Sequence, residues 1–237
     1  MSSLTALQAQ NANYVGALSL GGNNYDHGNA IAVDGAGNIY STGYFEGTAN
    51  FNGKGSYNLT SAGGKDVFIS KINSNGDFQW AQRLGGAGDD VGTSLVVDPT
   101  GTVLYVTGYF TGSSDQGLTS NGGTDIFICA IKTVDGSFQV AKGFGGPNND
   151  AGTGITVDGT GKIYTTGYFQ GSNVNFNPFG GTNYISSTAG ALGHDIFICM
   201  VDPVNKTVWA KTMGGTVAGN GDDNRANAIT LDATGNI

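Results

Sequence analysis

Short strings return along this chain in a fixed order, and a module copied in tandem packs against copies of itself. Thr-Gly-Tyr-Phe stands at 42–45, 107–110 and 166–169, and Asp-[Val/Ile]-Phe-Ile at 66–69, 125–128 and 195–198. A Gly-Gly pair recurs at 21–22, 85–86, 145–146 and 214–215, and an apolar-Asp-x-x-Gly turn at Asp34, Asp98, Asp158 and Asp232. These anchors advance together, so a repeat of roughly 60 to 70 residues is one structural unit.

Within each repeat the hydrophobic period is two. A first strand reads Ile31-Ala32-Val33, Leu95-Val96-Val97, Ile155-Thr156-Val157 and Ile229-Thr230-Leu231. The Asp-x-x-Gly turn leads to a second strand at 39–45, 104–110 and 163–169, and a variable loop to a third at 67–72, 126–131 and 196–201. A fourth includes Phe78-Gln79-Trp80-Ala81, Phe138-Gln139-Val140-Ala141 and Val208-Trp209-Ala210. The 42 glycines among 237 residues serve tight turns, because 38% of the chain is hydrophobic and no Gly-X-Y period is present. Four antiparallel strands cannot cover both of their own faces, and radial stacking of such sheets solves that problem. The expected fold is therefore all-β, a β-propeller of four-stranded antiparallel blades, with three complete blades and partial blades at both ends. A β-sandwich would not need one module copied with its anchors in place.

The segmentation follows from the anchors. Residues 1–13 are an N-terminal extension and 14–237 the propeller repeats: 14–22 a partial blade, 23–86, 87–146 and 147–215 complete blades, and 216–237 a second partial blade. Residues 14–22 align with a fourth strand, which places Ala17, Ala81, Ala141 and Ala210 at equivalent positions. Leu20, Leu84, Phe144 and Met213 should likewise pack between sheets. The two terminal fragments would lie about three strand spacings, or roughly 14 Å, apart, too far to pair. Open edges are association templates, so further blades of the same polypeptide or another copy should complete the propeller.

The formal charge is -8, and the 10 Lys and Arg residues form no basic run. Nucleic acid and membrane insertion are accordingly not expected. Cys129 and Cys199 occupy matching positions of neighbouring repeats and should be unbridged. The first 13 residues show no signal-peptide pattern.

The Gly-Gly-x-x-x-Asp loop, the Val-Asp-x-x-Gly-Asn-x-Tyr-x-Thr-Gly segment at 33–43 and the Gly-Gly-x-Asp-x-Phe-Ile-x-Lys segment at 63–71 resemble the bacterial SBBP-type β-propeller repeat. The resemblance runs from residue 14 to 237. It implies a propeller in an extracellular or cell-surface setting, as part of something larger, and it carries over no catalytic residues.

Candidate chemistry sits in the loops. Asp26, Asp90 and Asp150 each follow a Gly-Gly pair by four residues; the fourth copy, shifted by an insertion, offers Asp222, Asp223 and Asn224. A ring of such carboxylates suits Ca²⁺ or a polyhydroxylated ligand, while the bland alternative is that each Asp caps backbone N–H groups of its own turn. Asp66, Asp125 and Asp195 invite the same two readings, and Asp34, Asp98, Asp158 and Asp232 read as turn residues. His27 stands beside Asp26 and His194 beside Asp195. The long variable loop of the third repeat carries Phe176, Phe179 and Tyr184. The ligand-binding candidates are thus Asp26, His27, Asp90, Asp150, Asp223, Phe176, Phe179 and Tyr184. Trp80 and Trp209, exchanged for Val140 in the middle repeat, read as blade packing. No motif for a nucleophile, a phosphate cradle or a metal is present, and no cofactor is expected, calcium being the one ion left open. The expectation is a non-catalytic binding or scaffolding module with a protein or glycan partner. The alternatives are a carbohydrate-binding lectin and a self-assembling structural subunit.

Overall fold

The computed structural model describes residues 17–188, 193–215 and 223–237. Among them it is all-β and contains no helix. The strands are β1 (Gly21–Gly22), β2 (Asp26–Val33), β3 (Ile39–Asn50), β4 (Asn58–Ile72), β5 (Phe78–Leu84), β6 (Val91–Val97), β7 (Val103–Ser113), β8 (Thr119–Lys132), β9 (Phe138–Phe144), β10 (Ala151–Val157), β11 (Ile163–Phe169), β12 (Val174–Asn175), β13 (Tyr184–Ile185), β14 (Asp195–Asp202) and β15 (Thr207–Met213). They form three antiparallel four-stranded sheets, β2-β3-β4-β5, β6-β7-β8-β9 and β10-β11-β14-β15, with β1 attached to the first and β12-β13 a small separate ribbon. This is a propeller-like arrangement of four-stranded antiparallel sheets.

The turn that opens each repeat is built by its aspartate. Asp34 Oδ1 accepts the N–H groups of Ala36 and Asn38, both at 2.9 Å, and Asp34 Oδ2 accepts the Tyr40 hydroxyl. Asp98, Asp158 and Asp232 make the same local bonds, as expected of an Asx turn. The Thr-Gly motif has its own task. Thr42, Thr107 and Thr166 are buried and donate their hydroxyls to the carbonyls of Phe68, Phe127 and Phe197 on the next strand.

The core lies between sheets. Val67, Ile69, Trp80 and Leu84 of the first sheet pack with Leu95, Leu104, Val106 and Phe110 of the second, and Ile126, Ile128 and Phe144 of the second with Ile155, Ile163 and Phe169 of the third. Each first strand carries a bulge at its third or fourth residue, and the bulged side chain reaches across to the next sheet. Asn29 Nδ2 donates to the Gly92 carbonyl at 2.8 Å, Thr93 Oγ1 to Gly152 at 2.7 Å and Thr153 Oγ1 to Ala226 at 2.6 Å. A Cβ on Gly92 would lie 2.2 Å from Thr42 Oγ1, and one on Gly152 2.3 Å from Thr107 Oγ1, so the sheets meet where a side chain is missing.

Ala81, Ala141 and Ala210 do share a register position, opposite Ser70, Cys129 and Cys199. Leu84 and Phe144 are buried between sheets, but Met213 at the same rung is 48% exposed. At the amino end, residues 14–16 lie outside the described residues, Ala17 is exposed and outside any strand, and Leu20 is only half-buried. Gly21–Gly22 pair instead with Asn50 and Ala49 of β3. The reason is visible in later copies, where Gly86 bridges Ser114 and Gly145 bridges Asn175: the Gly-Gly segment clips onto the hairpin of the following sheet. Cys129 and Cys199 are free and buried.

Candidate functional site

The aspartates after each Gly-Gly pair are loop organisers. Asp26 Oδ2 accepts Gly22 N–H at 2.6 Å. Asp90 accepts Gly86 and Thr111 N–H groups, and Asp150 those of Gly146 and Gln170, so both carboxylate oxygens are occupied by the backbone. In the fourth copy the structure puts Asn224, not Asp223, at this position: Asn224 N–H donates to His194 O as Asp90 N–H does to Lys65 O and Asp150 N–H to Thr124 O. Asp223 aligns with Asp89 and Asn149, and Asp222 lies outside the described residues.

Asp90, Asp150 and Asn224 each sit against an aspartate on the third strand of the preceding sheet. The pairs are Asp66 with Asp90 and Asp125 with Asp150 at the two boundaries between sheets, and Asp195 with Asn224 where the third sheet meets residues 223–237. All five aspartates are fully or almost fully buried. Desolvation, above all other causes, pushes Asp90 and Asp125 up to about 6 and Asp150 to about 7, the negative partner adding to it for Asp90 and Asp150. One oxygen of each third-strand aspartate, Oδ1 of Asp66, Asp125 and Asp195, has no hydrogen-bond partner.

Above the pairs, at the rim, stand the tyrosines of Thr-Gly-Tyr-Phe. Tyr44, Tyr109 and Tyr168 occupy the same rung of three sheets and are half-buried. Burial first, then Tyr168, Asp89 and Tyr44, raises the Tyr109 hydroxyl, so Tyr109 lies within electrostatic reach of the other two tyrosines. Their neighbours differ from sheet to sheet. Tyr44 stacks on His27 at 5.7 Å and lies under the Lys65 ammonium at 5.1 Å. Beside Tyr109, Thr124 N–H donates to the Asn149 side chain. Tyr168 meets the His194 ring edge-on at 4.8 Å and the Arg225 guanidinium at 4.3 Å, and Asp223 Oδ1 bonds both His194 Nδ1, at 2.9 Å, and Arg225 Nε, at 2.7 Å. His27 and Asp223 thus lie on this rim, and Asp26, Asp90 and Asp150 are anchored below it.

The aromatic loop residues separate. Phe176 is fully buried between Phe144, Phe169 and Phe197 and so offers no ligand surface, while Phe179 is partly buried against the same cluster. Tyr184 is 58% exposed. Phe51 is the counterpart of Phe176: it packs on Phe45 and Phe68, and Asn50 Oδ1 accepts two backbone N–H groups as Asn175 Oδ1 does. The string Asn-Phe-Asn at 50–52 and 175–177 is the sequence signal for this shared plug. The rim tyrosines had a signal too, since a tyrosine kept beside a buried Thr-Gly in every copy has one wet side.

Comparison with known proteins agrees with this architecture. The model of the SBBP β-propeller repeat family matches residues 79–114, which run from the fourth strand of one sheet into the second strand of the next. An uncharacterised WD repeat-containing protein of Acanthamoeba polyphaga mimivirus is 24% identical over 231 residues, 84% of this chain. The regulatory protein FlaEY of Caulobacter vibrioides is 33% identical over 109 residues, 44% of this chain. The chain spans 16% and 11% of the lengths of those two proteins.

Proposed function

From a chain that carries the SBBP β-propeller repeat, we infer a non-catalytic binding module whose recognition surface is the tyrosine rim. The observation that carries this reading is a constant scaffold under a changing edge: Tyr44, Tyr109 and Tyr168 repeat, while Lys65 and Asp89, Thr124 and Asn149, and His194, Asp223 and Arg225 alternate beside them. Side chains that vary on a repeated frame are where specificity resides. Asp90 and Asp150 support the non-catalytic half of the reading, because both oxygens of each accept backbone N–H groups. Half-buried tyrosines next to carboxylates and hydrogen-bonding amides suit a polyhydroxylated glycan or a peptide. An extracellular or cell-surface setting accompanies this proposal.

The test is to probe the full chain with a glycan array, with and without calcium, and with a peptide library, beside a Tyr44→Ser, Tyr109→Ser, Tyr168→Ser variant of unchanged melting temperature. Binding lost in the variant supports the reading. Binding that persists in the variant, no binding to either probe set, or turnover in a hydrolase and lyase panel would overturn it.

A second proposal concerns the first sheet, which presents an unfilled half of the boundary seen twice inside the chain. Gly28 corresponds to Gly92 and Gly152, yet a Cβ there would meet nothing within 4 Å, and Ile31 and Val33 are 68% and 61% exposed. A cleft of about 640 Å³ lined by Leu18, Leu20, Ile31, Ile39 and Ile72 lies on this face. Another sheet of the same repeat, from the same polypeptide or from another copy, is the occupant this face fits.

A further inference from the structure

The two sheet boundaries, and the edge where the third sheet meets residues 223–237, treat the same electrostatic problem differently. Two carboxylates brought together in a dry interior need a compensating charge or a proton. At the first boundary Arg83 supplies a positive charge, its Nη1 lying 2.7 Å from Asp66 Oδ2 and its Nη2 2.8 Å from Asp115 Oδ2. At the edge of the third sheet, Asn224 stands where the second carboxylate would be, so only Asp195 is ionisable. The second boundary has neither device. The counterpart of Arg83 is Gly143, opposite Phe127 as Arg83 is opposite Phe68, and a Cβ there would lie 2.7 Å from the Phe110 ring. Among the described residues no Lys, Arg or His forms an ion pair with Asp125 or Asp150.

The oxygens of this pair converge. Asp125 Oδ1 and Asp150 Oδ2 both lie 2.8 Å from the point where Gly145 would carry a Cβ. Asp125 Oδ2 accepts the backbone and side-chain N–H groups of Asn121, and Asp150 accepts Gly146 and Gln170 N–H groups, which leaves Asp125 Oδ1 alone without a partner. Oxygens ringed by N–H donors disfavour a metal ion, which needs several free oxygens. A proton on Asp125 Oδ1 answers both the charge and the missing partner.

We propose that the Asp125–Asp150 pair holds one proton at mildly acidic pH, carried on Asp125 Oδ1 and shared toward Asp150, and that this proton fastens the second sheet to the third. The groups facing the pair are Asn121 and Thr124 from β8, Gly145 and Gly146 from the β9–β10 loop, and the Tyr168 hydroxyl and Gln170 backbone from the end of β11. None of them carries positive charge. Burial raises both carboxyls above their ordinary range, so the folded chain binds a proton that the unfolded chain has released. This contribution to stability is fully present below about pH 4 and is lost as pH rises through about 7.

Asp125→Asn tests it, because the amide N–H replaces the shared proton permanently while its oxygen still accepts from Asn121. Thermal unfolding of the full chain and this variant is followed from about pH 5 to about pH 8.5, with a chelator and with millimolar calcium. The variant is expected to match the wild type at the acid end and to melt roughly 3 to 8 °C higher at the alkaline end. Carbon-detected NMR of the wild-type carboxyl groups gives an independent reading that needs no variant, with one carboxyl expected to titrate between about pH 6 and 7. Parallel melting curves, all carboxyls titrating below about pH 5, or wild-type stability at the alkaline end restored by calcium would each overturn the proposal.

Discussion

Gly28, Gly92 and Gly152 are one position seen in three surroundings, and they separate intrinsic glycine effects from packing. Alanine at Gly152 would drive Cβ to 2.3 Å from Thr107 Oγ1 and 3.3 Å from Ile126 Cγ2, whereas alanine at Gly28 meets open space. Overpacking a tight contact costs about 1–3 kcal/mol. Gly152→Ala should therefore lower the midpoint of chemical denaturation by that amount while Gly28→Ala changes it by less than about 0.5 kcal/mol. Equal effects at the two sites would deny the interlocking of sheets described above. At this scale the sequence was partly transparent. That Asp26, Asp90 and Asp150 recur was legible from spacing, and so was their backbone-capping role. Which of Asp222, Asp223 and Asn224 takes this place was not, because the extra residues before them break the count from Gly214–Gly215, and the hydrogen bond of Asn224 N–H to His194 O restores the register. The pairing of each with Asp66, Asp125 or Asp195 was also hidden, since the partners come from different repeats and meet only once sheets stack.

The hairpin elements carry the clearest misreading and its cause. A long, variable, aromatic-bearing loop reads as a recognition surface, yet the loop before β14 turns its Phe176 inward, because a hairpin that overhangs a sheet must cover the aromatic end of that sheet. Phe169 and Phe197 are fully buried only with Phe176 on top of them. Phe176→Ala should destabilise the chain by about 3–5 kcal/mol, as for other buried phenylalanines. Tyr184→Ala, by contrast, should stay within about 0.5 kcal/mol, because its ring is mostly in water. Urea denaturation of the two variants distinguishes them, and a small loss for Phe176→Ala would return this residue to the list of ligand contacts. The same element logic explains what the sequence did convey. Strand order, hairpin partners and the alternation of buried and wet faces all follow from a period of two and from turn aspartates, and those signals are local.

At the scale of the molecule the repeat stacks sheet on sheet, yet among the described residues no further sheet covers the outer face of the first. Inside the chain, Leu95 of the second sheet is buried by Val67 and Ile69 of the first, while Ile31, the same residue of the first sheet, is 68% exposed. Leu18 and Leu20 lie along the same cleft but leave the centre of that face open. The bulge contact is equally one-sided, since Gly28 corresponds to Gly92 and Gly152, which accept from Asn29 and Thr93 of the preceding sheets. An apolar sheet face with a ready acceptor associates with a complementary face at high concentration. Sedimentation of the full chain over a wide concentration range should show association, and Ile31→Glu should abolish it without lowering the melting temperature, because the new carboxylate remains in water in the free chain. A wild type that stays monomeric throughout, or an Ile31→Glu variant that associates as strongly, would remove the case for a further sheet docking on this face.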